Sequence, residues 1–472
     1  MTARRLLSAS AIAVLLAGTG APSGQPAQGS FTRLRAHALS PFAAVVTWTD
    51  TTPGRAAVSY GLEHESEAVW ASTAKVAAEH TIRIDGLAPG STYELRPHVR
   101  LVRGGAASGP TLTVETPRVR GPVTTAVGRD GSILLDGVPF FPIMQWLQCP
   151  SSFATNVALG VDVFLGKGCS DNPDATEVAQ LASLGAFSVL PFDAAVQDKP
   201  GLFGWHFDDE PDGNGEPPTA VAQQFRRNRT EDPRHVNFLT VESNFYSRMS
   251  PPAISGGDRS VYRGYASTTD VLGFDLYPIY GWCRPDWISW VGAAQRQLVD
   301  DYAGGRPTYQ WIEATATSGR FCKGPGPTAT EVRAEVWMAV VNGAKAIGYF
   351  THSWTPDYSQ FRVTRSVQAE MQRTDGQLRE LTPVLLGRET RVRVAGTAAV
   401  EATARSYGGA TYVLAVNTSR SPQRATFTVA APAARSAGVI DEGRSVRISH
   451  GSLSDAFAPL QVHLYELAPR GF

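Results

Sequence analysis

The stretch GRDGSILLDGVPFFPIMQW, residues 128–146, marks a change in the pattern of this chain. It predicts a short hairpin that leads into a buried apolar strand, and strands and helices alternate after it. Near-continuous apolar runs that alternate with helices are typical of a parallel sheet covered on both faces. We count eight such strands in roughly 260 residues, which predicts a closed (β/α)8 barrel. A glycine-rich phosphate motif does not follow the first strand, which argues against a dinucleotide fold.

The eight predicted strands and their helices occupy residues 123–387. Helical spacing of apolar residues is clear at 174–184, at 287–298 and at 367–381. Thr328 and Glu331 have the spacing of a capping box at the start of a further helix. FFPIMQW is the first strand, and the others lie at residues 160–166, 186–193, 202–210, 236–242, 271–278, 307–314 and 346–354.

Two all-β regions flank the predicted barrel. Residues 30–117 contain short alternating segments separated by turn residues at the intervals of a β-sandwich. Within them, Trp48 and the run LAPGSTY that ends at Tyr93 resemble the fibronectin type III pattern. That resemblance implies a core tryptophan and a tyrosine corner. Residues 388–472 return to alternation, as in ATFTV at 425–429, and predict a C-terminal β-sandwich.

The first 29 residues predict a secretory signal peptide and linker. Arg4 and Arg5 precede an apolar run at 6–17 that is too short to span a bilayer, and small residues follow it. The 43 basic and 43 acidic residues cancel, so the chain lacks the charge that nucleic acid or an anionic membrane attracts. We therefore expect a secreted, extracellular monomer. Its four cysteines predict two disulfides, with three possible pairings.

The segment GWHFDDEPD, residues 204–212, gathers four carboxylates within five positions. Its acidic residues match the first half of a calcium loop, but the twelfth position is Thr219 instead of glutamate. We therefore expect no metal and no cofactor. A solvated acidic turn remains an alternative for Asp212 and Glu216. The third interpretation is a catalytic acid.

The position of this segment favours the catalytic interpretation for Glu210. In barrel enzymes the catalytic groups lie where the strands end, at the C-terminal face. Glu210 ends the fourth strand and Glu313 ends the seventh. Strand alternation directs Trp205 and Phe207 toward the surrounding helices, and a bulge at the strand end could turn Asp209 inward. The same alternation directs three polar side chains into the barrel, those of His206, Asp208 and Glu210.

The tripeptide Asp209-Glu210-Pro211 resembles the Asn-Glu-Pro motif of the large retaining clan of (β/α)8 glycoside hydrolases, clan A. FDLYP at 274–278 is similar to the strand-six motif of that clan, and the run at 331–354 is similar to its seventh helix and eighth strand. The resemblance covers roughly residues 128–387 and rests on the order of short motifs along successive strands. It implies a secreted glycoside hydrolase of poly- or oligosaccharides.

The resemblance also implies roles for individual residues. Glu210 corresponds to the general acid/base and Glu313 to the nucleophile of a retaining mechanism. Asp209 departs from the motif, because an ionised aspartate accepts hydrogen bonds where asparagine also donates them. Trp354 matches the tryptophan that forms the floor of the sugar-binding subsite in that clan. The full set of predicted substrate contacts is Asp208, Asp209, His206, Trp146, Asp275, Tyr277, Trp282, Trp311, His352 and Trp354.

The four cysteines fall on predicted loops at the C-terminal face of the barrel. Cys149 and Cys169 follow strands one and two, and Cys283 and Cys322 follow strands six and seven. Since the members of each pair follow adjacent strands, we predict the disulfides Cys149–Cys169 and Cys283–Cys322.

Two other functions are consistent with parts of the sequence. A non-catalytic carbohydrate-binding or cell-surface protein on a barrel scaffold would bind sugar without hydrolysis. A phosphatase is suggested only by the N-terminal β region, and it would need metal-ligating Asp, Asn and His motifs that we do not find.

Overall fold

The computed structural model describes residues 30–102, 105–317, 324–429 and 434–469. The predicted signal peptide and linker, residues 1–29, lie outside this part of the chain. Within the described ranges, no helix has both the length and the apolar character needed to cross a membrane. The chain forms an N-terminal antiparallel sheet, a small three-stranded sheet, a closed barrel and a C-terminal β region, in that order.

The N-terminal region is a six-stranded antiparallel sheet built around one long strand, β2. The first half of β2 pairs with β1 and its second half with β4, and β3 runs along both halves. The register shifts before Gly54, where a side chain would lie 2.5 Å from Val99. The strands are β1 (Thr32–Ser40), β2 (Ala43–Leu62), β3 (Val69–Asp85), β4 (Thr92–Leu101), β5 (Ala106–Ser108) and β6 (Leu112–Glu115).

Trp48 and Tyr93, which carry the fibronectin resemblance, are both buried in this sheet. The Trp48 indole donates to Asp50 at 2.8 Å, and the backbone amide of Ala88 donates to the Tyr93 hydroxyl at 2.8 Å. Each residue therefore has a local role of the predicted kind, a core tryptophan and a tyrosine that ties back to an upstream turn. The assignment of residues 30–117 to the fibronectin type III family stays a prediction.

A three-stranded sheet closes the bottom of the barrel. It comprises β7 (Thr125–Val127), β8 (Ile133–Leu135) and β9 (Val138–Phe140). Thr125 connects it to two barrel strands, since its hydroxyl donates to the Phe203 carbonyl and accepts from the Val236 amide. Ile133 and Leu135 belong to the same buried cluster as the side chains inside the barrel. The hairpin predicted before the first barrel strand therefore forms the floor of the barrel.

Eight parallel strands form a closed barrel, as the apolar runs predict. The last strand pairs with the first through Ile143 and Ile347, which closes the ring. The strands are β10 (Ile143–Gln148), β11 (Val163–Lys167), β12 (Phe187–Leu190), β13 (Leu202–His206), β14 (Val236–Glu242), β15 (Val271–Asp275), β16 (Thr308–Glu313) and β17 (Ala346–Phe350).

The interior of the barrel is filled by aromatic rings. Contacts between rings 5.6–6.1 Å apart run from Phe140 in the floor through Phe203, Phe238 and Tyr309 to Trp311 near the mouth. All are almost completely buried, and burial of each such side chain contributes about 1.5–3 kcal/mol. The interior is therefore a packed core and not a channel.

Helices surround the barrel after every strand but the third. The predicted capping box of α6 is confirmed, because Thr328 and Glu331 each bond to the other's backbone amide. Helix α5 continues into a π-helical turn at Leu298–Tyr302, and short helical turns lie at Ser243–Phe245, Ala253–Ser255 and Pro285–Trp287. The helices are α1 (Pro150–Leu159), α2 (Asp174–Leu184), α3 (Pro218–Glu231), α4 (Val261–Ala266), α5 (Trp290–Gln297), α6 (Ala329–Val341), α7 (Arg365–Glu380) and α8 (Thr382–Leu385).

The connection between β12 and β13 differs from the predicted repeat of strand and helix. Residues 191–201 form only turns. A crossover with a helix needs a dozen or more residues, so this connection is too short to contain one. It leads directly into β13, whose pairing with β12 shifts register at Phe203.

The C-terminal region has nine strands in the order β18-β20-β21-β26-β23-β24-β25-β22-β19. Its predicted alternation is confirmed at β22, where Ala425, Phe427 and Val429 are buried and Thr428 is exposed. Its description as a sandwich stays a prediction. The strands are β18 (Arg388–Thr390), β19 (Val392–Ala395), β20 (Val400–Tyr407), β21 (Ala410–Asn417), β22 (Gln423–Val429), β23 (Ser436–Val439), β24 (Arg444–Ser449), β25 (Ser452–Phe457) and β26 (Val462–Leu467).

The flanking regions pack against the barrel and against each other. Tyr60 of the N-terminal sheet, Trp337 of α6 and Tyr412 of β21 belong to one continuous buried cluster. The Trp70 indole also donates to Glu466 at 2.7 Å, which joins the first and last regions of the chain. Trp337 is completely buried and therefore packs α6 against the flanking regions.

Candidate active site

The fourth barrel strand presents its acidic segment at the mouth of the barrel. Beyond the end of β13 the chain continues beside β14. The Phe207 amide donates to the Phe238 carbonyl, and the Glu210 amide donates to the Thr240 carbonyl, each at 3.2 Å. Asp208 and Asp209, which lie between these two bonds, are exposed. Glu210 adopts φ of 50°, a left-handed conformation that is uncommon for glutamate. Its half-buried carboxylate is thus held at the mouth by a constrained backbone.

The interpretation of strand four by alternation agrees with the structure at Trp205 and His206, but beyond the strand end it is Asp209 and not Asp208 that interacts with Asp275, Tyr277 and Tyr309. Trp205 is completely buried outside the barrel against Val178 of α2 and Leu190, and its indole donates to Asp232. His206 is half-buried, and its Nδ1 donates to the Phe207 carbonyl at 2.7 Å. Burial lowers the pKa of His206, so the imidazole is neutral at pH 7. A bulge does occur in this strand, but at Phe203 instead of at its end.

Asp275, at the end of β15, is the carboxyl group that contacts Glu210. The two side chains are hydrogen-bonded across the intervening strand β14. Desolvation and the charge of Glu210 raise the pKa of Asp275 well above its usual range. Asp275 therefore holds a proton at neutral pH and donates it in the bond to Glu210.

Asp212 corrects the prediction of a solvated acidic turn. Its side chain is only 6% exposed and accepts from the Tyr262 hydroxyl at 2.7 Å and from the Glu242 amide at 3.1 Å. Burial raises the pKa of Asp212 to about 6, although the bond from Tyr262 opposes this rise. The residue is buried because the chain after Glu210 follows β14 inward instead of turning out into solvent.

Two further carboxyl groups near the mouth have raised pKa values. Asp209 has an exposed side chain, yet desolvation by the wall of the mouth and the charges of Glu210 and Asp212 raise its pKa to about 7. Desolvation and the charge of Asp212 raise the pKa of Glu242 to about 7 as well. Gly213 packs on Glu242 so closely that a Cβ would lie 2.5 Å from the carboxylate. The ends of strands four, five and six thus form one acidic wall.

Glu313, the predicted nucleophile, is fully buried at the end of β16. Its two carboxylate oxygens accept from the backbone amides of Ile279 and Tyr280 at 2.8 and 2.5 Å. It is also hydrogen-bonded to Glu335 of α6. Burial raises the pKa of Glu335 well above normal, so Glu335 carries the proton in this bond. Glu313 thus fastens the loop after β15 to helix α6 and has no open surface toward the cleft.

Glu335 is a residue that the sequence interpretation missed. Both of its oxygens are completely buried, and the carboxyl group of Glu313 is the group they interact with. The sequence does contain a signal for this buried contact, because Glu335 falls on the apolar stripe formed by Val332, Val336 and Ala339 of α6. A charged residue in an apolar stripe indicates a buried polar contact.

Aromatic side chains form the opposite wall of the mouth. The ring of Phe350, at the end of β17, lies 4.8–5.4 Å from those of Trp146, Tyr277 and Tyr280. Trp354 stacks above Phe350 at 6.2 Å and is 47% exposed. Since exposed aromatic rings can stack on the apolar faces of sugars, this wall could hold a pyranose ring.

The remaining predicted substrate contacts differ in exposure. Trp282 is 51% exposed on the loop after β15. Trp311 is buried inside the barrel, where its indole donates to Thr240 at 3.2 Å. His352 is also buried, bonded to the Leu147 carbonyl and to the Tyr358 hydroxyl. Trp311 and His352 therefore lie beneath the cleft surface, while Trp282 and Trp354 lie on it.

The disulfide Cys149–Cys169 is present and connects the loops after β10 and β11, as predicted. Cys283 is also disulfide-bonded. Its predicted partner, Cys322, lies outside the described residues, so that pairing stays a prediction. Gln360 bonds to both ends of the first bridge, since it accepts from the Cys149 amide and donates to the Gly168 carbonyl. The bridge therefore also positions the loop that carries Trp354.

The described residues contain no group of three or more His, Cys, Asp or Glu side chains arranged to hold a metal ion. The acidic wall consists of carboxylates bonded to each other or to hydroxyl and amide donors. Its chemistry is that of proton transfer and of charge stabilisation.

No protein-family model matches the sequence, and no curated protein matches it. Solved structures with a similar arrangement include an α-amylase from Geobacillus thermoleovorans in complex with acarbose, at 11% identity and a TM-score of 0.48, covering 68% of this chain and 91% of that one. A GH30 endoxylanase from Clostridium papyrosolvens has 13% identity and a TM-score of 0.41, covering 73% and 99%. A GH2 β-galacturonidase from Eisenbergiella tayi has 10% identity and a TM-score of 0.40, covering 73% of each chain. These likenesses are too distant to assign an activity or a substrate.

Proposed function

We propose that this chain is a secreted glycoside hydrolase that cleaves glycosidic bonds of a poly- or oligosaccharide, with Glu210 as its general acid/base. The observation that carries the proposal is the position of Glu210. Its carboxylate lies at the C-terminal mouth of a closed barrel, in a constrained backbone conformation, opposite a wall with an exposed tryptophan. Constrained backbone conformations of this kind are concentrated at functional sites.

The proposed reaction is a two-step displacement. Glu210 protonates the glycosidic oxygen while the second carboxylate, Glu313, attacks the anomeric carbon and forms a covalent glycosyl intermediate. Glu210 then takes a proton from water, and that water releases the sugar with net retention. Retention requires carboxyl groups about 5–5.5 Å apart, and inversion about 6.5–9.5 Å.

Glu313 can act as the nucleophile only if substrate reaches it. Glu313 is completely buried and accepts hydrogen bonds from two amides of the loop after β15, so that loop must move when sugar binds. Burial raises the pKa of Glu313 to about 7, while the amides of Ile279 and Tyr280 oppose this rise and favour the ionised form, which is the form that attacks. We therefore retain Glu313 in this role, dependent on movement of the loop after β15.

Separate Glu210→Gln and Glu313→Gln variants test these roles. Wild type and variants are assayed on aryl glycosides and on a panel of polysaccharides, and the anomeric form of the first product is read by NMR. On the polysaccharides, whose leaving groups need a proton, both variants should lose at least about a thousandfold in kcat/KM. In Glu313→Ala, azide should restore part of the turnover by replacing the carboxylate. Glu231→Gln, on the exposed surface of α3, is the matched control and should keep full activity.

The complete burial of Glu313 favours a second candidate, a carbohydrate-binding protein without hydrolytic activity. In that protein the Glu313–Glu335 pair would only stabilise the fold. Calorimetric titration with the same glycans decides between the two. Micromolar binding without cleavage by wild type would support the binding protein and refute the hydrolase. Retained activity in Glu313→Gln would leave the hydrolase intact but would exclude Glu313 as its nucleophile.

A further inference from the structure

The contact between Glu210 and Asp275 joins residues from strands that are not neighbours. Asp275 lies opposite Glu242 in the register of β14 and β15, and Glu210 reaches it over the end of β14. The amide of Glu210 is bonded to the Thr240 carbonyl, which aims its side chain across the mouth. The two carboxyl groups therefore meet because of the path of the backbone after β13.

Among the residues that the structure describes, the groups around this pair supply no positive charge. The groups that face Asp275 are Asp209 from the segment after β13, Glu242 from β14, Tyr277 after β15 and Tyr309 from β16. Burial keeps both tyrosines neutral, and a carboxyl group such as that of Asp209 or Glu242 is either neutral or negative. Two carboxyl groups in direct contact within such surroundings ionise together only at a raised free-energy cost, so the pair holds one proton before reaction.

We propose that Asp275 is a positioning residue that shares one proton with Glu210 and returns it to Glu210 during turnover. This inference rests on the proposed role of Glu210 as the acid. Before reaction the proton moves from the Asp275 carboxyl to the Glu210 carboxylate, which leaves Asp275 ionised. Glu210 then gives that proton to the glycosidic oxygen as the bond to the anomeric carbon breaks. The proton that Glu210 later takes from water restores the pair, so protons balance over the cycle.

The test is the variant Asp275→Asn, which keeps a hydrogen-bond donor but cannot release a proton. Glu210 then faces a neutral amide that stabilises its ionised form. The alkaline limb of kcat/KM should move to lower pH by about one unit, which costs about tenfold at pH 7 on a substrate with a poor leaving group. A dinitrophenyl glycoside, whose leaving group needs no proton, should lose much less.

A merely structural role for Asp275 makes different predictions. It would lower the rates on both substrates equally and would leave the pH profile where it is, and that result overturns the proposal. Asp193→Asn is the matched control, because Asp193 follows β12 at the same end of the barrel and bonds only to the nearby Ala195 amide. It should leave both substrates and the pH profile unchanged.

A second measurement does not depend on activity. The raised proton affinity of Asp275 means that stability is lost in the wild type as pH rises through the pKa of the folded pair. Asparagine cannot undergo this loss. The thermal midpoints of wild type and Asp275→Asn should therefore agree near pH 4, and the variant should melt higher at pH 8.

The two measurements separate this inference from the proposed function. Equal pH dependence of the two melting curves would refute proton sharing, whether or not a glycan is cleaved. A pH-dependent difference in a chain that cleaves no glycan would uphold proton sharing. That result would refute both the hydrolase and the turnover role of Asp275.

Discussion

The hydroxyl of Tyr262 should matter more to stability at pH 8 than at pH 5. It donates at 2.7 Å to Asp212, and both side chains are almost completely buried. The pKa of Asp212 is about 6, so its carboxyl group is largely ionised at pH 8 and largely protonated at pH 5. Because the hydroxyl favours the ionised form, Tyr262→Phe removes a charge-assisted bond at pH 8 and a neutral bond at pH 5.

The expected magnitudes follow from the two kinds of bond. Loss of a hydrogen bond to a charged group costs about 1.5–3 kcal/mol, and loss of a neutral one costs about 1 kcal/mol. At pH 8 the carboxylate of Asp212 would retain the Glu242 amide at 3.1 Å. The variant's free energy of unfolding should therefore fall by about 0.5–2 kcal/mol more at pH 8 than at pH 5.

Urea denaturation followed by tryptophan fluorescence at both pH values measures this difference. Tyr265→Phe is the matched control, since Tyr265 is equally buried on the same helix and donates to the neutral carbonyl of Glu216 at 2.6 Å. Tyr265→Phe should lower the free energy of unfolding by about 1 kcal/mol at either pH. A cost for Tyr262→Phe that is equal at both pH values, or smaller at pH 8, would refute the ionisation assigned to Asp212.

Three further predictions concern other parts of the molecule. Replacing both Cys149 and Cys169 by Ser should lower the free energy of unfolding by about 3 kcal/mol, because the bridge closes a loop of 20 residues; an unchanged urea midpoint would contradict this. Gly348→Ala should lower the free energy of unfolding by about 1–3 kcal/mol, because its Cβ would lie 2.1 Å from the Trp311 ring. A thermal midpoint equal to that of wild type would mean that the ring can move. Trp282→Ala should change stability by less than about 0.5 kcal/mol but should weaken glycan binding in calorimetry; unchanged affinity would exclude this ring from the site.

Much of the barrel was predictable because its strands are buried on both faces. Their apolar runs, such as FFPIMQW, stand out in the sequence, and the capping box at Thr328 marks the start of α6. The exception is the third crossover, where residues 191–201 have no helix. There the chain length between two strands, and not the hydrophobic pattern, decides the structure.

The partners of the acidic residues were much less predictable. Alternation correctly directed Trp205 outward and His206 toward the mouth, because side chains in a strand follow a period of two. Beyond the strand end that period no longer applies. The solvated turn considered for Asp212 was wrong for this reason, since the segment follows β14 into the protein.

The sequence by itself determined where the strands of this barrel lie and which carboxylates stand at their ends, because hydrophobic burial imposes a period that can be counted. Only the tertiary structure decided which of those carboxylates meet. Glu210 contacts Asp275, and Glu313 contacts Glu335, through the stagger of separate strands and the approach of a helix. Such contacts join residues far apart in the chain and depend on backbone paths without periodicity, so local patterns do not encode them.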